Sequence, residues 1–301
     1  MVLELILSVV ALRRHPFNML FLSFLLSSIA LFVSYYTFPE SSSILALAFV
    51  TIALMPIIER MLVEEEEEEA VKPGSPGSFL ARHFDLVEVY AWFFIGLVLS
   101  YGFWYAVLPA TAPASCITDA SFQWDCILPA KDKVFAEQEK TWSVISGWQS
   151  MTGKITGFVG IGPESCLGQQ KELLACTEFI YLNNSFVLVL AIFFSILWGA
   201  GAVFLLGWNA SVIGLFIGKE ALSGIGPGVQ RAISYLPHGI PEVSGYFIGA
   251  IAGGIISALV TKRRYKRHEL STIAMDAFVL ICLAFIILFI GALIEAWLIV
   301  G

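Results

Sequence analysis

Between Glu178 and Lys219 the chain runs for 40 residues without a charge. A soluble helix or strand interrupts its apolar residues with a polar face at its own period, whereas an unbroken run of this length reads as membrane-spanning. As one helix the run would reach about 60 Å, twice the roughly 30 Å of hydrocarbon it has to cross. It must therefore break and cross twice. The segment "LLGWNAS", with Gly207 and Asn209 interrupting the apolar run, offers the place. That reading gives one span at about 184–206 and a short one at about 209–222.

Further spans follow from the same length criterion. Phe17–Phe38, Ser41–Ile58, Val89–Leu108 and Ile273–Ile294 each approach the ~20 apolar residues a crossing needs. Residues 242–260 form a sixth in chain order. Composition agrees, with 58% hydrophobic and 14% charged residues, the latter about half the usual share. No basic patch interleaved with aromatics occurs, which excludes nucleic acid as a partner class. The expected fold is an all-α polytopic membrane protein of about seven transmembrane helices, one of them short and irregular. The lipid bilayer is its first partner.

Orientation is read from lysine and arginine in short connections. Arg13 and Arg14 precede the first span, Arg60, Lys72 and Arg82 lie in the second connection, and "TKRRYKRHE" follows the sixth span. Seven spans put all three groups in the cytoplasm, with the N-terminus inside and residues 109–182 extracytoplasmic. "LELILSVVALRRHPF" at the start reads as an amphipathic interfacial helix stopped by Pro16. A cleaved signal peptide is the rival, but its basic residues should precede the apolar stretch instead of following it.

The chain then divides into residues 1–63, with the interfacial helix and two spans; 64–83, a linker; 84–108, the third span; 109–182, an outer module; and 183–301, a glycine-rich bundle. The run Glu64–Glu69, followed by Pro, Gly and Ser, has the composition of a disordered linker. Four of five cysteines, Cys116, Cys126, Cys166 and Cys176, fall in the outer module. In an oxidising compartment they predict two disulfides, either two local loops or a nested pairing across two segments. Zinc is a poor rival, since finger ligands stand two to four residues apart, so no metal or other cofactor is expected. Within the module "KDKVFAEQEKTWSVISGW" (131–148) has an amphipathic helical pattern and "GKITGFVGIGPES" a loop composition. Cys282, alone in the last span, reads as a small packing residue.

Gly245, Gly249, Gly253 and Ser257 recur every four residues in the sixth span; Ala191, Ser195 and Gly199, and Ala210, Gly214 and Gly218, do so in the two before it. Small residues on one face let helix backbones approach closely, within one chain or in a homo-oligomer. Lys219, Glu220, Arg231, His238 and Glu242 form the charged and polar set near one membrane face. Pro237 and Pro241 bracket that His and Glu. Pro241 with Glu242 fits the start of a helix, a carboxylate in the first turn meeting the positive end of its dipole. Structural pairing, ion or substrate passage, and catalysis are the three readings of His238 and Glu242. Catalysis is the weakest, because no nucleophile motif or second ligand set accompanies them.

"GAGAVFLLGWNASVIGLFIG" (199–218) followed by "YLPHGIPEVSGYFIGAIAGG" (235–254) resembles the integral-membrane family named for stage II sporulation protein M. Its pattern falls here on Asn209, Pro237, His238, Gly239, Glu242 and Gly253. "ALRRHPF" and "VFAEQ" (134–138) look like the archaeal branch. The family's namesake is a membrane scaffold for partners that degrade peptidoglycan. The resemblance therefore implies a non-enzymatic scaffold whose outer module binds protein partners. The N-terminal pair of spans, the acidic run and the cysteines depart from the plain bacterial pattern. A permease-like subunit using Lys219, Glu220, Arg231, His238 and Glu242 is the alternative.

Overall fold

The computed structural model describes residues 15–71, 84–111, 128–147, 166, 172–261 and 267–301. Among these the elements are helices α1 (Asn18–Thr37), α2 (Ser42–Val71), α3 (Phe84–Val107), α4 (Lys131–Val134), α5 (Ala136–Gly147), α6 (Leu173–Trp198), α7 (Ala202–Ala221), α8 (Ile225–Thr261) and α9 (Arg267–Val300), with a 3-10 turn at Pro39–Ser41. Seven helices (α1, α2, α3, α6, α7, α8 and α9) are long and apolar enough to cross a membrane. Alternating crossings gather Phe38, Leu108, Leu173, Leu222 and Gly301 at one end, termed the cysteine end, and Leu62, Phe84, Ala200 and Thr261 at the other, the basic end.

The break in the long apolar run lies at Gly199–Gly201, not at "LLGWNAS". Gly199 closes α6 with φ of 67°, a backbone conformation that side-chain-bearing residues rarely adopt. Asn209 sits inside α7, where its Nδ2 donates to the Leu205 carbonyl at 2.8 Å. An amide that bonds to its own helix four residues back has no need to interrupt it. As a result α7 is a full span of 20 residues. The preceding helix starts at Leu173, 11 residues before the expected 184.

Three further expectations change. The acidic run is helical, since α2 continues to Val71 with Pro56 inside it; residues 72–83 of the expected linker lie outside the described residues. Pro237 and Pro241 are interior to α8 instead of opening a helix at 241. Each removes one backbone donor, leaving the carbonyls of Ile233 and Pro237 without their usual helical partners. Such interruptions survive in membrane helices because neighbouring elements satisfy the freed groups. Cys282 is exposed on α9 and so does not pack in the interior. The interfacial helix at 1–14, the loop at 153–165, and Cys116 and Cys126 lie outside the described residues.

Two groups of helices share the core. Helix α3 packs between α1 and α7, α2 meets α1 and α7, and α8 packs between α6 and α9 while also meeting α7 and α3. Small residues set the spacing. A Cβ on Gly218 would stand 2.6 Å from the Gly102 carbonyl oxygen, and one on Gly253 2.6 Å from that of Ile192. Gly245 faces Leu288 of α9, and Gly214 faces Tyr101 and Val98 of α3 at comparable range. Serines line the α1–α3 contact. Ser23, Ser27 and Ser34 are fully buried, and their hydroxyls donate to carbonyls of their own helix. Trp104 Nε1 donates to Ser28 Oγ at 2.8 Å, tying α3 to α1. Tyr90 and Phe94 of α3 meet the ring of Phe247 on α8.

Cys166 and Cys176 form a disulfide. For that pair the local-loop pairing is the one observed. Both sulfurs pack with Ile180 and with Ala292 and Ala296, so the bridge rests on the ends of α6 and α9.

Candidate functional site

The residues expected to form one polar cluster separate into three groups. The first ties the 128–147 segment to the bundle. Lys133 Nζ donates to both carboxylate oxygens of Glu40, at 2.7 and 2.9 Å, and Ser42 Oγ donates to the Lys133 carbonyl at 3.0 Å. The next two residues, Val134 and Phe135, are fully buried, with Phe135 edge-on to Tyr101 and Tyr105. Gln138, also fully buried, donates through Nε2 to Ser211 Oγ at 3.2 Å. Glu139 accepts from Lys219 Nζ at 3.2 Å and from the Tyr105 hydroxyl. The segment "VFAEQ" is therefore an apolar and polar insert between α2, α3 and α7.

Electrostatics follow from these contacts. The Glu40 carboxylate raises the Lys133 pKa above its ordinary 10.5. Lys131, whose ammonium lies 4.6 Å from the centre of the Tyr105 ring, has its pKa lowered, chiefly by desolvation. Lys219 thus pairs with the insert and not with Glu242.

The second group stands at the turn between α7 and α8. Arg231 Nη2 donates to Glu220 Oε1 at 2.7 Å. The rings of Phe216 and Tyr235 lie 5.6 Å apart one turn further in. A Cβ on Gly228 would be 2.9 Å from that of Ala221. These pairs define an antiparallel hairpin, and continuing its register brings Asn209 to the level of Glu242.

The third group lies deeper. Asn184 Nδ2 of α6 donates to Glu242 Oε1 at 2.7 Å. Glu295 of α9 lies near the same carboxyl. Gly291 makes room for this, since a Cβ there would be 3.1 Å from Glu242 Cγ and 3.2 Å from Pro241 Cβ. His238 joins neither partner. Its ring meets Tyr235 at 5.7 Å, and its Nδ1 is buried with no hydrogen-bond partner among the described residues. Asn184, Glu295, Gln138 and Glu139 were not singled out from sequence, yet they complete the polar contacts. No group of three or more His, Cys, Asp or Glu side chains placed to hold a metal occurs among the described residues.

The signature segments of α7 and α8 therefore form one hairpin, packed on α3, α6 and α9. The family described as "Stage II sporulation protein M" matches residues 89–298, more than two thirds of the chain. The chain belongs to the stage II sporulation protein M family. No curated protein and no solved structure matches it. The matched region begins within α3 and ends near the end of α9, so it contains the insert, the disulfide and the three polar groups apart from Glu40 and Ser42. Helices α1 and α2 precede it.

Proposed function

We propose that this stage II sporulation protein M family member is a non-enzymatic scaffold that anchors an envelope-associated membrane complex, with the 109–182 connection facing outward as its partner-binding surface. The observation that carries this reading is the docking of 128–147 through Lys133–Glu40, Gln138–Ser211 and Lys219–Glu139. These contacts hold the connection's middle against the spans, so segments on either side of it have a fixed base. A presenting surface gains affinity from such preorganisation, because less freedom is lost on binding.

The docked insert also refines the test. Deleting all of 109–182 would remove buried side chains and unfold the bundle. Replacing only 112–127 and 148–165 with Gly/Ser linkers spares the insert. Purification in mild detergent from the native host should then lose the co-purifying proteins while the melting temperature stays within a few degrees. Unchanged partner recovery at wild-type protein level sinks the scaffold reading.

A permease-like role is the second reading, favoured by the Glu242–Asn184–Glu295 contact inside the spans. Ionisable groups at such depth commonly mark ion or substrate paths. In that case Glu242→Gln in reconstituted vesicles abolishes flux without lowering protein yield. The scaffold reading expects no flux in either protein.

A further inference from the structure

The turn between α7 and α8 encloses a cleft of about 320 Å³ lined by Glu220, Pro227, Gln230, Arg231 and Ser234. Its volume falls at the lower end of small-ligand sites, about 300–1,000 Å³. Its depth in the membrane follows from α7. At 20 residues that helix is about 30 Å long, just the hydrocarbon thickness. Glu220, its penultimate residue, thus stands at the boundary between acyl chains and headgroups. The 2.7 Å bond from Arg231 holds the guanidinium at the same level.

Two features distinguish this cleft from an ordinary surface ion pair. Arg231 spends one nitrogen on Glu220, while a guanidinium carries five donors in a planar fork suited to phosphate. In addition, the same stretch of α8 turns Ile225, Val229, Ile233 and Leu236 outward, Ile225 being 82% exposed. They recur at three- and four-residue spacing, one helical face. A row of exposed apolar side chains beside paired opposite charges matches a molecule with both charges at one end and acyl chains at the other.

We propose that this cleft binds the headgroup of a zwitterionic phospholipid, with the phosphate on Arg231, the ammonium on Glu220, and the acyl chains along the Ile225–Val229–Ile233–Leu236 face. An anionic lipid would satisfy Arg231 but set its charge against Glu220.

The test uses the full-length protein in detergent, titrated with phosphatidylethanolamine, phosphatidylglycerol or free phosphoethanolamine. Lipid retained on the protein is counted by native mass spectrometry. Phosphatidylethanolamine should be retained in preference to phosphatidylglycerol, and phosphoethanolamine should be retained weakly. Losing one charge-assisted contact weakens binding by about tenfold or more. Arg231→Gln should therefore lower retention of both lipids by that factor, while Glu220→Gln should abolish the preference between them. Gln230 is an exposed cleft residue outside the ion pair, so Gln230→Trp fills the site without disturbing the pair and should block both lipids. Equal retention of the two lipids by the native protein overturns the proposal. So does unaltered retention in Gln230→Trp, a measurement that stands even if the charge variants fail to fold. Phosphoethanolamine binding as tight as the lipid would mean a soluble ligand and overturn it too.

Discussion

Gly218 has no space for a methyl group, and the atoms in its way are the least able to move. A Cβ there would approach the Gly102 carbonyl oxygen to 2.6 Å and Tyr105 Cβ to 2.9 Å. Forcing extra carbon into a closed contact costs about 1–3 kcal/mol. Gly218→Ala should therefore lower the unfolding free energy by that amount in detergent. Gly226→Ala, where nothing lies within 4 Å, should cause no loss. A second residue-scale expectation concerns charge. Lys133 has a raised pKa because Glu40 favours its ammonium form. The stabilisation is then full below the ordinary lysine value of 10.5 and fades as pH rises through the higher folded value. The melting-temperature gap between wild type and Lys133→Gln should stay constant from about pH 6 to about 9 and shrink only above the ordinary lysine pKa. A gap that closes near neutral pH would assign the effect to another group.

At the scale of elements the insert is the least expected part, and its anchoring can be measured as a coupling. Ser211→Ala leaves the fully buried Gln138 amide without its acceptor, a loss of about 1–3 kcal/mol. Gln138→Met costs its own share, but combining the two removes both polar partners and should recover much of the sum. Hydrogen exchange at residues 131–147 gives an independent readout, rising in Ser211→Ala and falling back in the double variant. Strict additivity would mean that the two side chains do not depend on each other. The same contrast explains what was legible beforehand. Hydropathy located every span, because a spanning helix must be apolar over its own length whatever it packs against. Breaks and ends were less legible. Asn209 looked like an interruption, but it bonds to Leu205 in its own helix, and the glycines at 199–201 make the turn. Pro237 and Pro241 looked like a helix start, but α8 passes through both while packed on α6, α7 and α9. Glu295 lies one residue beyond the span read as Ile273–Ile294. Its place beside Glu242 depends on Gly291 letting two helices meet, a fact of packing with no local signal. Gln138 was hidden for the same reason, in a segment whose amphipathic pattern was read correctly as helix but assigned to an outer module.

For the whole molecule the decisive quantity is the number of crossings. Seven crossings by the candidate helices among the described residues would put the two described ends on opposite faces, and the short turns at 199–201 and 222–224 leave no room for an uncounted crossing between α6 and α8. The proposed face rests on charge. In sequence, Arg13 and Arg14 precede α1, Lys72 and Arg82 lie between α2 and α3, and the basic residues of 262–266 lie between α8 and α9, whereas Cys166 and Cys176 are bridged at the cysteine end. Lysine and arginine in short connections are retained in the cytoplasm, and disulfides persist where the environment is oxidising. Two independent rules thus support the orientation proposed above, one from electrostatics during insertion and one from redox chemistry afterwards. A reporter active only outside the cell should work when fused after Gly301 and fail when inserted between α8 and α9. In the same intact cells, an impermeant thiol reagent should label Cys166 and Cys176 only after reduction. The lipid site at Glu220 and Arg231 would then draw on the outer leaflet, because the α7–α8 turn lies at the cysteine end. If the C-terminal reporter is silent while the α8–α9 insertion is active, the orientation reverses, and the partner surface proposed for 109–182 moves to the cytoplasm with it.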